Sequence, residues 1–327
     1  MTEASRVAPF VAALLFFAAG CDAQAPSSKA PTKALVSSAS ATPKPAVLAV
    51  QTRWTARARV VAVGDLHGDI QATRRALTLA LVLKGEHWSG GETLLVQTGD
   101  VLDRGDEEPE ILELLDRLEG EARAAGGELI ALNGNHELMN AAGDFRYVTP
   151  GGFADFHGHA KGDAEADLLA SVPPAQRGRA AAFFAGGYYA QRFAKHPVIA
   201  VVGDTVFVHG GLLSKWARDP EALNAEVSTW LAGGSAAGGR VLTEQDSPVW
   251  SRRYAENPDE AGCAELARAL TLVGAKRMVV GHTVMKSGIA PACDERLWRI
   301  DVGLAAAYGG KPAVLELSEN RVRVLSE

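Results

Sequence analysis

Five short blocks constrain this chain more than any other feature of its 327 residues. Each pairs glycine with an imidazole, carboxylate or carboxamide, and each closes an apolar, β-branched run. They are Gly64-Asp65-Leu66-His67-Gly68 after RVVAV, Gly99-Asp100-Val101-Leu102-Asp103-Arg104-Gly105 after TLLVQT, Gly134-Asn135-His136-Glu137 after ELIALN, His209-Gly210-Gly211 after TVFV, and Gly281-His282-Thr283 after KRMVV. Runs of this kind read as buried strands, and glycine allows the sharp exit or close approach needed where the backbone leaves one. The first three blocks step evenly from 65 to 100 to 135, 35 residues each time, about the length of one strand–helix–strand unit. Helical spacing from Asp69 to Leu83 and an acidic helix from about Glu107 to Arg123 fill the gaps. The alternation predicts an α/β domain with parallel strands covered by helices. HPVIAVVGDTVFVHGG adds two strands in series, and LWRIDVG with PAVLELSENRVRVL closes with strands and a hairpin. Residues 141–195 are helical and loop-like, a cap inserted into the domain. Ligands of open α/β sheets bind at the carboxyl ends of strands, so the five blocks converge on one point.

The side chains at that point suit a pair of divalent ions. Asp65, His67 and Asp100 can serve one metal; Asp100, Asn135, His209 and His282 can serve the other, with Asp100 bridging. Mixed oxygen and imidazole donors favour manganese, with iron or zinc as alternatives, over calcium. No CxxC pair exists, which excludes a thiolate zinc site. Two such ions clamp a phosphoryl group and activate water for attack on it. A single Asp or His after a strand would be an ordinary turn residue or helix cap; the ordered set is not.

Other motifs fail. GGSAAGGR at 233–240 lacks the Lys-Ser/Thr of a P-loop, and no GxSxG elbow supports a serine hydrolase. His157 and His159 read as solvent-facing loop residues, and His87 and His196 as structural. The composition, 47% hydrophobic and 22% charged, is that of a folded globular protein. A net charge of −6 without a Lys/Arg run argues against nucleic acid as a partner.

The N-terminus has a separate character. Arg6 precedes an apolar run, Val7 to Phe17, too short to span a bilayer. Small residues Ala18-Ala19-Gly20 follow, then Cys21, so residues 1–20 read as an export signal. The arrangement resembles a bacterial lipobox, which implies acylation of Cys21 and a periplasmic, membrane-anchored lipoprotein. Residues 21–56, rich in Pro, Ser, Ala and Lys, read as a disordered tether. The catalytic domain is expected over 57–327. The remaining cysteines, Cys263 and Cys293, are an even pair that an oxidising compartment would join. Two reduced thiols are the other reading.

The five blocks resemble those of calcineurin-like metallophosphoesterases, and GDVLDRG narrows the resemblance to the phosphoprotein phosphatase branch. Purple acid phosphatases carry Tyr where this chain has Asp103. Many phosphodiesterases carry His where it has Val284. Over residues 58–318, stretches such as MNAAGDFRYVTP, VFVHGGL, SPVWSRRY and WRIDVGLAAAYGGKPAVLEL look like the Shewanella-like protein phosphatases. The resemblance implies a four-layer sandwich, two mixed β-sheets flanked by helices. It also implies direct attack by a metal-bridging hydroxide on a phosphoprotein substrate. His136 would be the general acid, Asp103 its orienting partner, and Arg104 and Arg252 the phosphate ligands. Arg253 is an alternative to Arg252. Arg146, Arg253 and Tyr254 are further candidate substrate contacts, and Tyr147 is a candidate for pocket wall or core. AAAYGGKP stands where eukaryotic relatives carry a SAPNY-type loop, so inhibitor sensitivity does not carry over. The reading is therefore a phosphomonoesterase acting on phosphotyrosine or phosphoserine/threonine. A dinucleoside polyphosphate hydrolase and a non-catalytic binding lipoprotein are the alternatives.

Overall fold

Residues 49–159, 169–255, 257–318 and 321–327 are described by a computed structural model. The export signal, Cys21 and residues 21–48 of the expected tether lie outside the described residues. In chain order the strands are β1 Arg53–Trp54, β2 Arg59–Val63, β3 Leu83–Lys84, β4 His87–Trp88, β5 Leu94–Gln97, β6 Glu128–Ala131, β7 Ile199–Val202, β8 Thr205–Val208, β9 Arg277–Val280, β10 Ala290–Ala292, β11 Leu297–Arg299, β12 Ala313–Ser318 and β13 Arg321–Ser326.

The central strands are buried on both faces, which is why they read as continuous apolar runs rather than alternating ones. In β2, Val60 and Ala62 face one way; they join Leu94, Val96, Ile130, Phe207, Val279 and Ile300 in a core shared by two sheets. Val61 and Val63 face the other way and pack with Ala72, Ala76 and Leu77 of the helix Ile70–Leu79. The first sheet has five strands ordered β13-β12-β2-β5-β6, and the second six, ordered β1-β7-β8-β9-β11-β10. Both are mixed: β2, β5 and β6 run parallel while β12 is antiparallel to β2, and β8, β9 and β11 run parallel while β7 is antiparallel to β8. Helices Ile70–Leu79 and Glu108–Ala124 cover the first sheet, and Pro220–Leu231 and Glu260–Val273 the second. The result is the helix–sheet–sheet–helix sandwich expected from the sequence.

Register aligns the strand ends. Val63, Gln97 and Ala131 are level across β2, β5 and β6. Val208, Val280 and Arg299 are level across β8, β9 and β11. Six chain exits therefore leave at one edge, three from each sheet.

Two boundaries differ from expectation. The domain begins before residue 57, because β1 pairs in parallel with β7 and Thr52 O accepts the Val201 N–H at 2.8 Å. A two-residue strand leaves no periodicity in the sequence. The helix expected to reach Leu83 ends at Leu79, where Leu81 turns to a φ of 57° and the β3–β4 hairpin starts. Within 141–195, helices Pro150–Ala154, Arg177–Phe183 and Tyr188–Phe193 are present. Cys263 and Cys293 are joined in a disulfide, their Cα atoms 5.4 Å apart. Among the described residues no helix is long and apolar enough to cross a membrane.

Candidate active site

The strand exits are locked together by main-chain bonds before any side chain acts. Leu66 and His67 N–H groups donate to Asp100 O, and Gly281 N–H donates to His209 O. One buried carboxylate, Glu137, accepts four N–H groups: Gly134 at 2.8 Å, Asp100 at 2.9 Å, Val101 at 2.8 Å and Leu102 at 3.2 Å. It ties the second block to the third. Glycine is required at 134, where a Cβ would meet the Asp100 side chain, and at 68, where it would meet the Gly105 backbone.

His67, Asp100, His136, His209 and His282 form two overlapping donor clusters that share Asp100. His209 Nδ1 donates to Thr98 O at 2.9 Å, which leaves Nε2 as a lone pair in the neutral ring. That lone pair faces Asp100 Oδ2 at 3.2 Å, Asn135 Oδ1 at 2.9 Å and His282 Nδ1 at 3.1 Å. His67 Nδ1 is likewise held by Leu102 O at 3.0 Å, and its Nε2 faces Asp100 at 3.8 Å and Asp65 at 3.9 Å. The buried His282 Nε2 has no hydrogen-bond partner among the described residues.

Lone pairs and carboxylates that converge in this way suit a bound cation. Burial would depress His209, but the Asp100 and Asp65 carboxylates outweigh that and hold it at about 10, a proton standing where a metal would. Burial, with Asp301 and Asp100 close by, raises Asp65 well above the usual carboxylate range, and burial pushes Asp301 up to about 6. Asp100 goes the other way: burial is outweighed by the His209 and His136 imidazoles, which hold it well below its ordinary value. Burial lowers His67 to about 4, and burial with the His209 imidazole holds His282 well below its ordinary value. The residues fit divalent metal: His67, Asp100 and His136, and Asp100, His209 and His282, could each hold an ion, with Asp65 3.9 Å from His67 and Asn135 2.9 Å from His209.

His136 lies within the first cluster but is tied differently. Its Nδ1 meets Asp103 Oδ2 at 2.5 Å, and its Nε2 points back to Asp100 at 3.8 Å. Burial would depress it, but Asp100 and Asp103 outweigh burial and raise it. The cleft above is small, about 70 Å³, and is lined by Arg104, Tyr147, Trp250, Arg252, Asp301 and Tyr308 together with His67, Asp100, Asn135, His136 and His282. The Arg104 guanidinium lies 4.0 Å over the Tyr147 ring and 5.9 Å from that of Tyr308. Arg252 reaches Thr283 Oγ1 at 2.8 Å beside His282.

Three expected substrate contacts are elsewhere. Tyr254 is fully buried core, its hydroxyl donating to Leu212 O at 3.1 Å. Arg253 pairs with Asp259 at 2.7 Å, and exposed Arg146 pairs with Asp144; neither lines the cleft. Position in a motif does not fix which way a side chain leaves the backbone, and adjacent arginines diverge. Arg252→Ala is expected to lower kcat/KM about a hundredfold, the scale of one lost transition-state donor. Arg253→Ala, which breaks an exposed ion pair, is expected to stay within about twofold; steady-state kinetics of the two variants decide between them.

Sequence reasoning missed Asp301, Tyr308, Trp250, Glu108, Asn140 and Arg179. Asp301 was within reach, since Asp301-Val302-Gly303 ends β11 as the other blocks end their strands. The rest sit in helices or loops with no strand end to mark them.

The fold and site define a metallophosphoesterase, and comparison with known proteins agrees. The profile of the Calcineurin-like phosphoesterase family matches residues 58–286, and the chain belongs to that family. Within it the chain groups with the Shewanella-like protein phosphatases as a metal-dependent phosphatase. It is 40% identical to Shewanella-like protein phosphatase 2 of Arabidopsis thaliana over 313 residues, covering 85% of this chain and 80% of the relative. It is 29% identical to Shewanella-like protein phosphatase 1 of Plasmodium berghei, covering 84% and 75%. Among solved structures it is similar to a cold-active protein-tyrosine phosphatase of a psychrophilic Shewanella, with 25% identity, a TM-score of 0.68, and 84% and 80% of the two chains covered.

Proposed function

We propose that the protein hydrolyses phosphomonoesters on phosphoproteins, with phosphotyrosine as the preferred residue. The observation that carries the reading is the His136–Asp103 pair at 2.5 Å, with His136 lining the same cleft as Arg104 and Arg252. Divalent ions, manganese first or else iron or zinc, would be held by the two donor clusters and would supply Lewis acidity and a more acidic water. Arg104 and Arg252 hold the non-bridging phosphoryl oxygens, a task for which a guanidinium fork suits both geometry and charge. Asp103 holds the charged imidazole, with Nδ1–H facing the carboxylate and Nε2–H facing the leaving oxygen. His136 then hands that proton to the departing phenoxide or alkoxide. The preference for phosphotyrosine is supported by the aromatic walls, Tyr147 and Tyr308, and by the activity named for the Shewanella relative. Phosphotyrosyl and phosphoseryl peptides and a dinucleoside tetraphosphate, each assayed with Mn²⁺ on the full chain, test the reading. Faster cleavage of the dinucleotide would overturn the substrate class, and no turnover by metal-loaded protein would point to a binding lipoprotein.

We propose further that the domain works outside the cytoplasm, anchored through an acylated Cys21. The export-type N-terminus and the Cys263–Cys293 disulfide support this, since such bonds persist in oxidising compartments. Cys21→Ser is expected to move the protein from the membrane fraction to the soluble periplasm; unchanged fractionation would refute the anchor.

A further inference from the structure

One fully satisfied, buried side chain belongs to no motif. Arg179, in the helix Arg177–Phe183, is 0% exposed. All five of its N–H donors find acceptors. Nε donates to Asn140 Oδ1 at 2.7 Å. Nη1 donates to Gly152 O at 2.9 Å and to Glu108 Oε2. Nη2 donates to Asp103 Oδ1 at 2.9 Å and to Glu108 Oε1 at 2.8 Å. The rings of Phe156 and Phe183, at 5.2 and 4.9 Å, flank the guanidinium. Held at every donor, it has one position.

Its target is the carboxylate that faces the acid. Asp103 Oδ1 accepts from Arg179 and from Asn140 Nδ2 at 3.0 Å, leaving Oδ2 to His136 Nδ1. The Asp103 backbone sits at a φ of 68°, rare for a side-chain-bearing residue, and its N–H is held by Glu108 at 2.5 Å. Without the bonds to Oδ1 the carboxylate can rotate about its Cβ–Cγ bond and present either oxygen, or neither, to the imidazole.

We propose that Arg179 is the positioning residue for proton delivery: it locks the Asp103 carboxylate so that His136 Nε2 aims at the leaving oxygen. The role rests on His136 being the general acid. It also means that a helix from the 141–195 segment, 76 residues beyond Asp103, completes the catalytic pair. A purely structural arginine, pinning that segment to the core, would stabilise the fold and leave the chemistry indifferent to the leaving group. A positioning residue acts on proton transfer, which a poor leaving group needs and a good one largely does without.

Arg179→Lys keeps the charge and loses the fork. On phenyl phosphate its kcat is expected to fall about tenfold or more, part of the roughly hundredfold or greater contribution of a general acid. On dinitrophenyl phosphate it is expected to stay within about twofold. KM and metal content should match the wild type in both assays. Asn140→Ala, a smaller change that removes the other support of Oδ1, is expected to show the same split and carries the test if the lysine variant does not fold. Equal losses on both esters, or no loss on either, in folded metal-loaded protein would overturn the proposal. His136→Asn is the control. If it shows the leaving-group split and the Arg179 and Asn140 variants do not, positioning fails while the acid stands. If His136→Asn lacks the split, the acid reading itself fails.

Discussion

His136→Asn is expected to lower kcat on a phosphoseryl peptide by two to four orders of magnitude, about the full contribution of a general acid, while the protein keeps its metals. The second half of that result is as informative as the first. His136 Nε2 lies within reach of Asp100, so distance alone would let it serve as a metal ligand. What separates the roles is the other nitrogen. Two carboxylates raise the ring and Asp103 holds Nδ1 at 2.5 Å, which suits a proton carrier. Asparagine has no titratable proton to give, but its carboxamide nearly fills the same space. Metal analysis beside steady-state rates therefore decides: full metal with lost turnover fits the acid, and loss of one ion with lost turnover would make His136 a ligand instead.

Asp100→Asn is the second large effect, of the opposite kind. Asp100 is the only residue common to both donor clusters among the described residues. A carboxylate has two anionic oxygens to share; a carboxamide has one neutral oxygen and an N–H₂ group. The variant is expected to fall below one metal per chain, and kcat to fall about a thousandfold or more, as several kcal/mol of metal assistance disappears. The backbone is not the cause, because Asp100 has a φ of 58° and asparagine tolerates that region well. Full occupancy of both sites in the variant would refute the sharing.

The features legible in the sequence were those that depend on chain direction alone. A strand that ends in glycine and a donor must deliver that donor to the sheet edge, and the level registers of β2, β5, β6 and of β8, β9, β11 do the rest. The illegible features depend on rotamers and on distant packing. Nothing in SRRY says that Arg252 turns to the cleft and Arg253 to Asp259. Nothing local to RGRAAAF says that its second arginine closes a network with Asp103 and Glu108, because those partners lie more than 70 residues away and a buried ion network has no period. Glu137 shows the intermediate case. The sequence places it in GNHE, but only the fold reveals that it organises the main chain.

Nine non-glycine residues among those described have a positive φ; four of them, His67, Asp100, Arg104 and His282, line the cleft, and a fifth, Asp103, holds His136. Each is held on a path of the backbone that costs about 1 kcal/mol or more relative to the common ones. Glycine would sit there more comfortably and do no chemistry. Resistance to heat and speed of turnover are thus opposed at these positions. Breeding this chain for endurance alone, with no demand that it work, would smooth its rim into a sturdier and silent scaffold.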